Sequence, residues 1–81
     1  MKDKILFVSD LCPDCARILA EIEETPEKYK DFDLVNITSS MASLKLFLKY
    51  RDTLDGYKEV REKHKAGVPS VVIGENEVEF L

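Results

Sequence analysis

The sequence predicts an α/β layer structure, and three observations carry that expectation. Ile5-Leu6-Phe7-Val8 is an unbroken apolar run of strand length, a helix-period stripe follows it directly, and the chain closes on two short β-type runs separated by Gly74-Glu75-Asn76. With a further strand-like run over 32–37 and two more helical stretches, the predicted order is β-α-β-α-α-β-β, folded around a four-stranded mixed sheet.

The first run, between Lys4 and Ser9, reads as a central strand covered on both faces. Pro13 suits the first position of the helix after it and Cys12 the cap, while Cys15, Ile18, Leu19 and Ile22 fall at i, i+3, i+4, i+7 and face inward. Pro26 stops that helix near Glu24 or Thr25. Phe32 to Ile37 is a second strand nearer an edge, and the helical connection pairs it parallel to the first. Ser39 or Ser40 caps a second helix with Leu44, Phe47 and Leu48 inward, faltering around Asp52 to Gly56. In the third helical stretch Leu54, Tyr57, Val60 and His64 share one side, Glu59 and Lys63 stand at supporting spacing, and Gly67 ends it. The charge run Lys58 to Lys65 is a solvated helix face. Val71-Val72-Ile73 and Glu77 to Leu81 form a hairpin.

At 81 residues the chain is expected to be one domain, 1–81, with a thin core. A 44% hydrophobic and 9% aromatic content excludes disorder even with 35% of residues charged. Sixteen acidic residues against 12 basic ones give a formal charge of -4, and the basic residues are scattered, which excludes a nucleic-acid partner. The first apolar run is too short for a signal-peptide core, and no segment approaches the roughly 20 apolar residues of a membrane span. The expected location is therefore cytoplasmic, without a membrane partner. In that reducing compartment two cysteines read as a redox or metal pair rather than a permanent staple, since a loop closed between near neighbours constrains little of the unfolded chain.

A C-x-x-C where a strand runs into a helix is the strongest chemical signal in the chain. The N–H groups of the first turn and the positive end of the helix dipole favour a thiolate at Cys12, the reactive species, and two intervening residues let Cys15 reach a mixed disulfide formed there. Cys12 is thus the candidate nucleophile and Cys15 the resolving thiol. A closed zinc site needs four ligands, and two cysteines and one histidine do not supply them, so no metal is expected within one chain. His64 reads as a helix-end residue.

Cys12-Pro13-Asp14-Cys15 after the first strand and Val68-Pro69 before the third resemble the active-site motif and the cis-proline loop of the glutaredoxin family, and the likeness in element order spans nearly the whole chain. The resemblance implies a thioredoxin-like, glutaredoxin-type fold, a βαβ unit plus C-terminal β-hairpin with the family's final helix missing. It implies a thiol-disulfide oxidoreductase that reduces protein or small-molecule disulfides. Pro13, Asp14, Val68 and Pro69 would contact the substrate, with the Val68 backbone pairing to a bound thiol peptide in strand-addition fashion. The implied partners are a disulfide-containing protein or small thiol substrate, and glutathione or a flavoprotein reductase as electron source. No tightly bound cofactor is implied. Some glutaredoxins hold an iron-sulfur cluster between two subunits, so the alternatives are a cluster-binding or a redox-sensing module.

The chain departs from the family in four places. Asp14 stands for a usual aromatic, Gly67 for a threonine, and Ser9, Asp10 and Leu11 for a segment with a basic residue; the Gly-Gly turn, acidic residue and last helix beyond the final strand are absent. Weakened glutathione binding follows, and one sheet face must be covered by residues 53–66 or by a second chain. The Asp14 carboxylate also opposes a thiolate at Cys12. An opposing unit charge at about 6 Å is worth roughly 0.7–3 kcal/mol, comparable with the helix-terminus effect. The dithiol should therefore be more reducing than the roughly -200 to -230 mV of glutaredoxins.

Overall fold

The computed structural model describes residues 3–81; the first two residues of the expected 1–81 domain lie outside the described residues. Strands β1 (Lys4–Val8), β2 (Phe32–Asn36), β3 (Ser70–Ile73) and β4 (Glu77–Phe80) form one four-stranded sheet in the order β2-β1-β3-β4. β1 pairs parallel with β2 and antiparallel with β3, and β3 pairs antiparallel with β4, so the sheet is mixed. The continuous apolar run is explained by position: β1 has a partner on each side, and Leu6, Phe7 and Val8 are fully buried. β2 is an edge strand, as its weaker hydrophobicity predicts, and Ile37 follows it with its N–H on the Val8 carbonyl at 2.8 Å.

Helix α1 (Ala16–Glu24) carries buried Ile18 and half-buried Leu19 and Ile22 to the core, and it stops before Pro26 as expected. Cys12 is the cap and Pro13 stands at the first position, as expected, but the first turn is 3-10 rather than α. Pro13–Cys15 form a tight 3-10 turn capped by Cys12, the Cys15 N–H reaches the Cys12 carbonyl at 3.0 Å, and Cys15 is the residue from which α1 springs. The preset φ of Pro13 favours such a turn, which tightens the helix entrance by one i→i+3 bond.

Helix α2 (Met41–Arg51) is capped by Ser40, whose hydroxyl accepts from the Ser43 N–H at 3.1 Å. The expected stripe of Leu44, Phe47 and Leu48 is corrected: Phe47 and Tyr50 are the buried residues, Leu46 packs beside them, and Leu44 and Leu48 are left on the half-buried flanks. The cause is Phe7, whose ring meets those of Phe47 at 5.0 Å and Tyr50 at 6.0 Å and turns the aromatic side of α2 to the sheet.

The third helical stretch is shorter than expected. A 3-10 turn over Asp55–Tyr57 leads into α3 (Lys58–Glu62), which ends at Lys63. His64 has φ +57, is exposed, and does not share the inward side with Tyr57 and Val60. Gly67 does not end the helix: it lies in the loop beyond, at φ +98. Glu59 and Lys63 pair at 2.6 Å as their spacing predicts. Residues 53–66 do cover a sheet face, through Tyr57, which is fully buried edge-on to Phe47 and Phe80, each at 5.7 Å. Alternation along β4 turns Val78 and Phe80 to that side and leaves Glu77 and Glu79 exposed on the other. The β3–β4 turn is of the primed kind, with Gly74 at φ +59, Glu75 at φ +68, and the Asn76 N–H on the Ile73 carbonyl. Among the described residues no helix is long and apolar enough to cross a membrane.

Candidate functional site

The two cysteines of the motif occupy different environments. Cys12 lies half-buried where the loop after β1 enters the 3-10 turn, and Cys15 is completely buried beneath it. The Cys15 sulfur accepts the Ser9 N–H at 3.3 Å. Burial pushes the Cys15 thiol up from its ordinary value; the Ser9 N–H works against that rise, and the neighbouring Cys12 and Asp14 add to it. The inner thiol therefore rests protonated.

Ser9 itself is buried and ties this loop to the β2–α2 connection. Its hydroxyl accepts from the Leu11 N–H at 3.1 Å and meets the Thr38 hydroxyl at 2.9 Å. With its proton committed to Thr38, Ser9 leaves the Thr38 proton for Asp10 or Asn36, both at 2.9 Å. Hydrogen bonds from Thr38 and Asn36 hold the Asp10 carboxyl below the usual range. The backbone of Cys12 closes the turn, donating to the Ser9 carbonyl at 3.2 Å.

Opposite Cys12 stands the segment leading into β3. Val68 and Pro69 are buried and joined by a cis peptide bond. A groove of about 620 Å³ lies between the two segments, lined by Cys12 and Asp14 of the motif and by Lys65, Val68 and Pro69 of the loop, together with Arg17 and Phe80. The structure thus brings together Cys12, Asp14, Val68 and Pro69 of the expected site. Pro13 is exposed beside the groove, and Cys15 lies behind it. His64 does not line it, and among the described residues no three His, Cys, Asp or Glu side chains gather as metal ligands.

The loop preceding Pro69 is clamped from below. Arg51, the last residue of α2, donates from Nη2 to the Lys65 carbonyl at 2.7 Å and from Nε to the Ala66 carbonyl at 3.0 Å. Tyr57 meets Ser70 hydroxyl to hydroxyl at 2.8 Å, and a Cβ on Gly67 would come 3.4 Å from the Tyr57 ring and 3.3 Å from Val60. Sequence reasoning did not find Ser9, Arg17, Arg51 or Tyr57 as site residues. Ser9 and Arg17 flank the motif closely enough to be suspected, whereas nothing local marks Arg51, whose acceptors are backbone carbonyls of a distant loop.

No protein-family model matches the chain, and no solved structure matches it. An uncharacterized protein of Haemophilus influenzae is 30% identical over 78 residues, which cover 96% of this chain and 87% of that protein.

Proposed function

For this chain, which belongs to one family with the uncharacterized Haemophilus influenzae protein, we propose thiol-disulfide exchange: reduction of protein or small-molecule disulfides by the Cys12–Cys15 dithiol. The observation that carries the reading is the contrast within a single turn, a half-buried sulfur on a groove and a fully buried one behind it. That asymmetry suits an ordered reaction. The Cys12 thiolate attacks one sulfur of the substrate disulfide, forming a mixed disulfide and expelling the first substrate thiolate. Cys15 then gives up its proton and attacks the Cys12 sulfur, releasing the second substrate thiol and leaving a Cys12–Cys15 disulfide; two electrons pass from protein to substrate. The Ser9 N–H on the Cys15 sulfur stabilises the thiolate formed in that second step.

The same reading takes the fold as thioredoxin-like of the glutaredoxin type. It is supported by the β2-β1-β3-β4 order and by Val68-Pro69 facing the motif across the groove. Pro13 shapes the turn, Asp14 sets the local charge, and the Val68 and Pro69 edge receives the substrate backbone. Glutathione or a flavoprotein reductase restores the dithiol in a reducing cytoplasm. Arg17 and Lys65 are the groove's cations, available to carboxylates of glutathione or of a peptide.

The test is reduction of insulin and of a small disulfide, with glutathione and with thioredoxin reductase supplied in parallel, on the wild type and on Cys12→Ser and Cys15→Ser. Turnover by the wild type, none by Cys12→Ser, and a trapped mixed disulfide on Cys15→Ser are expected. A disulfide that forms without turnover under either reductant would overturn the enzymatic reading in favour of a redox sensor.

A further inference from the structure

The groove's far wall depends on a residue of another element. Lys65 and Val68 line the groove, yet the segment between them contains Gly67 at φ +98, where the backbone has its greatest freedom. Arg51 fixes the entrance to that segment. Its side chain is only 20% exposed, and it commits Nε and Nη2 to two successive carbonyls, Ala66 and Lys65, while Nη1 approaches Asp52 at 3.3 Å. The base of this clamp is itself held. Arg61 donates from Nη1 to the Arg51 carbonyl at 2.6 Å and to the Leu54 carbonyl at 2.8 Å, locking the end of α2 to the start of the 53–66 excursion. A planar fork with several fixed donors can hold two carbonyls at once, which an ammonium cannot do with the same geometry.

We propose that Arg51 is a positioning residue for the groove: it sets the distance of the 65–69 loop from Cys12 and thereby the affinity for extended peptide disulfides. The proposal rests on the thiol-disulfide reading of Cys12. A peptide uses the loop because its backbone lies along Val68, whereas a small disulfide needs only the sulfur of Cys12. Removing the guanidinium leaves Cys12, Cys15 and their turn untouched but frees the opposite wall.

The experiment follows single-turnover attack by fully reduced protein, with no added reductant, on two probes. One is a disulfide-linked dimer of a capped, neutral nine-residue peptide with a central cysteine, and the other is bis(2-hydroxyethyl) disulfide. For Arg51→Met the half-saturating peptide concentration should rise about fivefold or more while the limiting rate stays within about twofold, and the ratio of peptide to small-disulfide rate constants should fall by the same factor. Arg51→Lys, which keeps the stem and the charge, should lie between, at about two- to threefold, and decides the matter if Arg51→Met does not fold. Equal slowing with both probes, or no change with either, overturns the positioning role. Failure of the wild type to attack either disulfide overturns the thiol-disulfide reading and the proposal with it.

Discussion

Cys15 accepts the Ser9 N–H while buried from water, and Cys12, three residues earlier, borders a groove. Alkylation of the reduced protein with iodoacetamide should therefore label Cys12 at least about tenfold faster than Cys15, because the outer sulfur borders the groove while the inner one is buried and its thiol is pushed up; peptide mapping of a short pulse checks the order, and faster labelling of Cys15 would reverse the assigned roles. Asp14 is exposed within the same turn, and its charge is among the influences that push Cys15 up. Asp14→Asn takes a negative charge from beside the dithiol and should raise its reduction potential by roughly 15–30 mV, about 0.7–1.4 kcal/mol at 30 mV per 1.4 kcal/mol. Titration against a redox buffer measures this, and an unchanged or lower potential would show that solvent screens Asp14. Both motif cysteines and Asp14 were legible in the sequence because a C-x-x-C at a strand-to-helix junction carries its meaning locally. Ser9 was not, since what matters there is the direction of one N–H.

Among the elements, the 53–66 excursion owes its placement to close contact rather than to periodicity. Gly56 approaches β4 so closely that a Cβ would stand 2.7 Å from the Cβ of Val78 and 2.8 Å from its Cγ2. Gly56→Ala should destabilise the protein by about 1–3 kcal/mol through overpacking, and the penalty should shrink when combined with Val78→Ala. Urea unfolding of the two single variants and the double variant gives the coupling; additive effects would mean that β4 simply shifts aside. The same excursion shows why the predicted single helix is in fact a 3-10 turn and a five-residue α3. Tyr57 must meet Phe47, Phe80 and Ser70 together, and three partners on three different elements outweigh the regular spacing of Leu54, Val60 and His64. The α2 stripe misled for a related reason. Tyr50, with a polar tip, does not read as core, yet its ring has an aromatic partner in Phe7.

For the whole molecule, acidic groups raised by burial make stability fall with alkali, and the two in the core are Cys15 and Tyr57. Burial pushes both the Cys15 thiol and the Tyr57 phenol up from their ordinary values of 9.0 and 10.0, the Ser70 hydrogen bond partly countering the second. Between each group's unfolded and folded values the folded state binds more protons than the unfolded one, so stability declines as pH rises. The contribution is fully present below about pH 9 for Cys15 and below about pH 10 for Tyr57, and is lost as pH climbs through the folded values. Urea midpoints of the reduced protein should be level between pH 7.5 and 8.5 and fall above about pH 9. Cys15→Ala should remove the first part of the decline and Tyr57→Phe the later part. A wild-type midpoint that rises with alkali would contradict the burial of both groups.

The α/β class, the central β1, the parallel β1–β2 pair, the closing hairpin and the residues of the motif are all legible in the chain, because each is written in neighbouring positions: an apolar run, a proline, a capping serine, a turn glycine. Which side of α2 faces the sheet, how 53–66 folds, and the hold of Arg51 and Tyr57 on the wall opposite Cys12 emerge only from long-range packing. Those outcomes depend on partners far apart in the chain, on aromatic rings that fit only in three dimensions, and on backbone carbonyls, which every residue carries and no residue type announces.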